Sequence, residues 1–262
     1  MDIDVFGRAD DRARGHRIDH VMFICRLAHV EDMAGFTDRF GIIGPIFCLG
    51  GIFCVFGLCH LDIEQIRAGM IDTFRTFEDL SVRMAEGKDY RIVTKDLHSP
   101  ILIVAIHGGN IEPGTASIAS SIAGDEYNLY IFEGIRESGN AQLHIGSRYF
   151  DEPRSKDMVS NAETIISVHG HRDGENEFVM VGGLAEDLVR RVIDHLQAID
   201  ITVRPFETDR DPESPENICN KGMSGGGIEM EVSRKLRDVL QEDEGMRRLF
   251  ANAVRHAIEA YR

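Results

Sequence analysis

Apolar positions along this chain change their period several times, and each change marks an element. Ile101-Leu-Ile-Val-Ala-Ile106 is an unbroken apolar run that stops at His107-Gly-Gly-Asn110. Such a run reads as a strand covered on both faces of a sheet. Thr164 to Val168 is a second, shorter run of the same kind, ending on His169. After Gly225-Gly-Gly227 the period becomes two, with Ile228, Met230 and Val232 on one face and Glu229 and Glu231 on the other. Elsewhere the spacing is three and four, the mark of an amphipathic helix. It predicts helices over Asp62 to Glu86, Thr115 to Ala123, Leu184 to Ile199 and Glu244 to Tyr261. Shorter strands are expected at Asp89 to Thr94, Asn128 to Phe132, Gln142 to Ile145, Glu177 to Val181 and Ile201 to Phe206. Glu207 to Pro215, rich in Asp, Glu and Pro, is a surface loop. Strands interleaved with helices predict an α/β fold, and nothing between residues 62 and 262 interrupts it, so that stretch is expected to be one domain.

Residues 1–61 fit this pattern poorly. Residues 1–39 are polar and charged, and Phe40 to Leu61 carries no formal charge. That run is long enough to span a bilayer, yet it holds five glycines and Pro45 and has no basic cluster beyond Arg39. It is either a membrane anchor, a loosely packed apolar appendage, or sequence upstream of a true start at Met70. Membrane contact is expected only through residues 40–61. The protein would be cytoplasmic if it starts near Met70 and membrane-anchored if the run is genuine. A secretory signal is not expected, because the run starts late and what precedes it is not basic.

A formal charge of −15 argues against nucleic acid as a partner, since a phosphate backbone needs a basic face. Lysine supplies only five of the 29 basic residues, and high acidity with little lysine suits a salt-adapted source. The cysteines, Cys25, Cys48, Cys54, Cys59 and Cys219, form no CxxC pair and support neither a disulfide framework nor a structural cysteine zinc site.

Three strand ends carry the candidate chemistry: His107 with Glu112, His169, and the Glu229/Glu231 pair. In open α/β sheets ligands sit beyond the carboxyl ends of the strands. A catalytic zinc site takes three protein ligands, leaves one position open for water, and needs a carboxylate that is not a ligand to accept the water's proton. His-x4-Glu alone is not specific, and a surface histidine beside a helix-start glutamate is the plainer reading. His171 rivals His169, although His169 follows the apolar run directly and is better held. Glu133 is either a partner that orients a ligand histidine or an ordinary strand-end acid. Arg136, Arg148 and Arg154 are expected in loops around these strands, where a guanidinium can hold a carboxylate or stabilise an oxyanion. Arg148, four residues past His144, is the first choice for that role. Asn217, Asn220 and Lys221 either hold substrate amide and carboxylate groups or shape a turn.

Seven blocks, in order, carry a resemblance: His107-Gly-Gly-Asn-Ile-Glu-Pro-Gly-Thr115, Phe132-Glu-Gly-Ile135, Leu143-His-Ile145, Phe150-Asp-Glu-Pro153, Ser167-Val-His-Gly170, Asn217-Ile-Cys-Asn220 and Gly227-Ile-Glu-Met-Glu-Val-Ser233. Over about Phe74 to Arg237 the chain resembles the bacterial and phage poly-γ-glutamate hydrolase family, sometimes labelled phage-related replication proteins. The resemblance implies a zinc carboxypeptidase-like fold, three αβα layers around a mixed central sheet. It implies one zinc ion per chain held by His107, Glu112 and His169, with Glu231 as the catalytic carboxylate and His144 lining the cleft. The family usually has glutamine where this chain has Glu229, so either acid can be the base. The implied activity is hydrolysis of γ-glutamyl amide bonds in poly-γ-glutamate by a monomer. A zinc deacylase of small N-acyl amino acids, aspartoacylase-like, and a non-catalytic role in phage replication are the alternatives.

Overall fold

The computed structural model describes residues 48–49, 52–53, 72–207 and 211–262. Inside the apolar run, Cys48–Leu49 and Ile52–Phe53 pair as a short antiparallel ladder. The rest of that run lies outside the described residues, and with it the readings as anchor, appendage or upstream start. Among the described residues no helix is long and apolar enough to cross a membrane.

The unit Asp62–Arg262 is built on one seven-stranded sheet. Its strands are β1 (Tyr90–Lys95), β2 (Ile101–Gly109), β3 (Asn128–Gly134), β4 (Thr164–His171), β5 (Val179–Gly182), β6 (Val203–Arg204) and β7 (Ile228–Ser233), in the order β1-β3-β2-β4-β7-β5-β6. The four central strands β3, β2, β4 and β7 run parallel. β1 is antiparallel to β3, β5 is antiparallel to β7, and β6 follows β5 in parallel. The sheet is therefore mixed, with a parallel centre whose carboxyl ends all open on the same side.

Helices cover both faces, which is why β2 is apolar without alternation. They are α1 (Phe77–Ser81), α2 (Thr115–Ala123), α3 (Pro153–Asn161), α4 (Glu186–Gln197), α5 (Arg234–Glu242) and α6 (Glu244–Tyr261). Ile101, Ile103 and Ala105 of β2 join a core with α2, α4, α5 and α6 through Ile118, Leu188, Leu236 and Phe250. Leu102, Val104 and Ile106 face the opposite core, built from Phe74, Leu80 of α1, Leu143, Ile145, Phe150 and Val159 of α3. The result is three layers, thick with helix on one side and assembled largely from loops on the other.

Several expectations need correction. The helix foreseen over Asp62 to Glu86 is helical only at Phe77–Ser81 among the described residues, where Thr76 caps its start by accepting from Asp79 N. Asp72 and Phe74 are used instead for tertiary contacts, Asp72 with the loop after His144 and Phe74 in the core. Gln142 to Ile145 is not a strand. Asn140–Leu143 forms a 3-10 turn there, because Asn140 bonds the Arg136 backbone through both ends of its amide and curls the chain. Arg154 is not in a loop but in the first turn of α3, paired with Glu86 and Glu152. Two helices had no counterpart in the sequence reading. α3 buries only Ser155 and Val159, too few positions to show a period. α5 follows β7 without a gap and is capped by Ser233, which accepts from Leu236 N.

The start of β7 leaves no room for a side chain at Gly227. A Cβ there would stand 2.1 Å from Cys219 O and 2.4 Å from Ile165 O, both backbone atoms that cannot swing aside. Gly227→Ala should therefore lower the urea midpoint at unchanged m, by about 1–3 kcal/mol of stability or more. Equilibrium unfolding followed by circular dichroism measures it, and a midpoint equal to the parent's would show that β7 can shift.

Candidate metal centre

A bulge in β2 sets the position of the first histidine. Ala105 pairs with Ile131 and Gly108 with Glu133, so β2 spends one more residue than β3 over the same span. Strict alternation from Ile103 and Ala105 would send His107 under α2; an extra residue reverses the face. His107 is buried on the loop-covered side, its ring stacked on His144 with centroids 3.9 Å apart. Its Nε2 lies 2.9 Å from the carbonyl of Ile145. A carbonyl only accepts, so Nε2 carries a proton, and in the neutral ring Nδ1 keeps its lone pair.

Nδ1 of His107 meets two other donors of the same kind. It lies 3.1 Å from Nδ1 of His169 and 3.3 Å from Oε1 of Glu112. His169, buried near the end of β4, has its Nε2 against Ser167 Oγ at 2.8 Å and Ser147 Oγ at 3.3 Å. Glu112 Oε2 accepts from Gly170 N at 2.8 Å, which ties the loop after β2 to the end of β4. Two nitrogens held by one tetrahedral ion at about 2.0–2.1 Å each stand about 3.3 Å apart. The three donor atoms, all within 4.8 Å of one another, can hold one metal ion. The electrostatics of the protein alone agree. Burial would lift the carboxyl of Glu112, but the imidazoles of His107, His169 and His144 hold it well below the usual carboxylate range. Burial would lower His107, and the Glu112 carboxylate outweighs it and raises the value. The carboxylate and the imidazoles thus stabilise each other's charged forms.

Glu231 sits beside this cluster. In the ladder between β4 and β7, His169 is paired with Glu231 and Ser167 with Glu229. Both acids are buried, on the face opposite Ile228, Met230 and Val232. Glu229 Oε2 accepts from Asn217 Nδ2 at 2.6 Å. Glu231 is thus level with the histidine, and Glu229 is one pleat further into the sheet.

The profile described as Poly-gamma-glutamate hydrolase matches residues 74–259, some seven-tenths of the chain. The chain belongs to the poly-gamma-glutamate hydrolase family. UPF0714 protein YndL of Bacillus subtilis is 38% identical over 216 residues, covering 82% of this chain and 81% of its own. The SPbeta prophage-derived UPF0714 protein YoqZ of the same organism is 32% identical over 168 residues, 63% of this chain and 60% of its own. Among solved structures, a bacteriophage poly-gamma-glutamate hydrolase superposes with a TM-score of 0.70 at 28% identity, over 73% of this chain and 98% of that one. A structure described as YNDL-apo (Zinc-free) gives 0.67 at 32% identity, over 72% and 98%. The fold is α/β and zinc carboxypeptidase-like.

As a member of the poly-gamma-glutamate hydrolase family, the chain places its other candidates unevenly. His144, stacked on His107, is oriented by Asp72, whose Oδ1 is 2.6 Å from His144 Nδ1. Burial and the neighbouring His107 lower the His144 value, against the pull of Asp72. Arg148 follows Ser147 and is paired with Asp211 at 2.8 Å, while its carbonyl accepts from Lys221 Nζ. Arg136 bonds Gln142 and Gly139 and lies beside Asp89. Asn217 caps its own turn and holds Glu229. Asn220 has its amide fully used, donating to Pro212 O and Ser214 O and accepting from Leu184 N and Gly227 N, so it shapes the turn and has nothing left for a substrate. Glu133 is paired with Arg91 across β1 and β3, an ordinary strand-end acid. His171 lies apart from the donor cluster, facing Glu207 and the Phe178 ring.

Sequence reasoning missed Asp72, Ser147, Ser167 and the carbonyl of Ile145. Asp72 accepts from Gly146 N as well as meeting His144, so it fastens the loop that brings Ile145 and Ser147 to the histidines. No local pattern announces a contact across more than seventy positions. After zinc loading and desalting, elemental analysis should find that His107→Ala and His169→Ala lose bound metal while His171→Ala keeps the parent's stoichiometry. Metal lost on changing His171 and kept on changing His169 would reverse the assignment.

Proposed function

We propose that the chain is a zinc-dependent hydrolase of the γ-glutamyl amide bonds of poly-γ-glutamate, with one zinc ion per chain. The observation that carries this reading is the convergence of His107, His169 and Glu112 at the carboxyl ends of β2 and β4, with Glu231 level with His169. Family membership supplies the substrate class, and the relative described as zinc-free favours zinc as the metal.

His107 Nδ1, His169 Nδ1 and a Glu112 oxygen would hold the ion. When bound, zinc supplies Lewis acidity and lowers the pKa of water toward neutrality. The carboxylate of Glu231 takes a proton from the attacking water and later delivers it to the departing amine. Glu229, held by Asn217, shapes the floor beneath it. Ile145 O, which only accepts, keeps the His107 Nε2 proton pointed away from the site, and the hydroxyls of Ser167 and Ser147 at His169 Nε2 orient the second ring. Arg148 and Lys221 face carboxylates of the substrate from the adjoining loop, and His144 lines the cleft beside His107.

Incubating the full chain with poly-γ-glutamate and following polymer length on a gel tests this. Shortening should stop with a strong chelator and return with added zinc. No shortening by folded, zinc-loaded protein would sink the polymer reading and turn the search to small N-acyl amino acids. In the same assay Glu231→Gln should keep its zinc and lose about 10²–10⁴-fold in kcat, the usual worth of a general base. If Glu231→Gln stays near the parent while Glu229→Gln collapses, the base is Glu229.

A further inference from the structure

Arg237, on α5, is 3% exposed and contacts the backbone beside each segment of the candidate donor cluster. Its guanidinium donates to three backbone carbonyls. Nη1 reaches Pro113 O at 2.5 Å, Nη2 reaches His171 O at 3.1 Å, and Nε reaches Val232 O at 3.1 Å. These carbonyls belong to three separate segments. Pro113 follows Glu112, His171 is two residues beyond His169, and Val232 follows Glu231.

We propose that Arg237 is a positioning residue that fixes, through these three carbonyls, the spacing of the two ligand-bearing segments and the base-bearing strand. The assignment rests on the zinc hydrolase reading. The surroundings are shaped for this side chain. A Cβ at Gly170 would lie 2.5 Å from the guanidinium carbon, and one at Gly114 would lie 2.9 Å from Cβ of Arg237. Gly170 therefore lets the planar group lie flat against β4, and its own N–H is the one that holds Glu112 Oε2. A buried cation needs compensation. Burial lowers the Arg237 value, while Glu112, and more weakly Glu231, act in the opposite direction. The charge thus favours the ionised carboxylates without ligating the metal itself. Lysine cannot replace it, since an ammonium is a point donor and does not span three carbonyls lying around a planar fork.

The test uses the full-length protein and four forms: parent, Arg237→Lys, Gly170→Ala and, as a control for plain loss of packing, Leu236→Ala. Leu236 is equally buried on the same helix but points into the apolar core. Hydrogen exchange is read first on metal-free protein. Arg237→Lys should speed exchange in peptides covering 107–114 and 169–172 more than Leu236→Ala does, whereas a shift spread evenly over the chain overturns the proposal. Zinc affinity is then measured by chelator competition. Arg237→Lys and Gly170→Ala should weaken it about 10–100-fold, the range for partners that orient ligands, and Leu236→Ala should stay within about twofold of the parent. If Arg237→Lys does not fold, Gly170→Ala decides, because it dislodges a guanidinium that is still present. Affinity equal to the parent's in folded Arg237→Lys, or in Gly170→Ala, overturns the role. A parent that binds no zinc sinks the hydrolase reading alone, and the exchange comparison still judges Arg237.

Discussion

Two imidazole nitrogens 3.1 Å apart, buried and both turned toward one carboxylate, are the constraint on which the rest of this molecule depends. At that distance either a shared proton or a bound cation must lie between the two nitrogens, since two bare lone pairs would repel. Much of the surrounding structure serves to prevent relaxation. Ile145 O fixes one ring, Ser167 and Ser147 engage the other, and Gly170 N fixes the carboxylate. Each of these partners lies on an element other than that of the group it restrains, apart from Ser167 on β4. Loss of any one connection is therefore felt as a change of distance between ligands, not as local fraying.

The sheet explains how such distant residues meet. Parallel strands β2, β4 and β7 deliver their carboxyl ends to the same edge, and the register places His169 beside Glu231 without any adjustment. β2 is the exception. Its alternation would place His107 in the helical layer, and the bulge after Ala105 corrects this by one residue. The two cores then divide the work. The helix-rich side contributes most of the apolar burial, and the loop-rich side supplies Ile145, beside which His107 sits.

Elements that bury a whole face were legible in the sequence. The apolar run of β2, the alternation of β7 and the spacing of α6 each follow from which side chains leave water, and Glu244–Tyr261 is helical over the bounds its periodicity suggested. The convergence of His107, Glu112 and His169, whose donor atoms lie within 4.8 Å of one another, was legible too, because strand ends in an α/β pattern point to one crevice and the seven blocks narrowed the choice. What stayed hidden was set by contacts remote in sequence or by local polar bonds. Asp72 looks like one more charge on an amphipathic stretch until the loop at His144 folds onto it. Asn140 makes a turn of what composition suggests is a strand. For Asn220 the sequence left a substrate contact and a turn role equally open, and its fully used amide decides for the turn. Periodicity reports burial, and none of these residues owes its place to burial of an apolar group.

The overall charge of −15 would seem to forbid a polyanionic substrate, yet it governs only long distances. At physiological salt exposed charges are screened beyond about 8 Å, so an anionic chain already at the surface responds to the nearest groups. Beside Ser147, which touches His169, lies a depression lined by Arg148, Asp151, Lys156 and Lys221 among others, with Arg148 itself paired with Asp211. Burial lowers the Lys221 value, and its ammonium is fastened to the Arg148 carbonyl, so this cation is held in place and not left to sample solvent. On the proposed function, a γ-linked chain of carboxylates would meet Lys156, Lys221 and Arg148 here, the last already paired with Asp211. The same screening would make low ionic strength, where repulsion reaches about 30 Å at 0.01 M, the condition that most hinders approach.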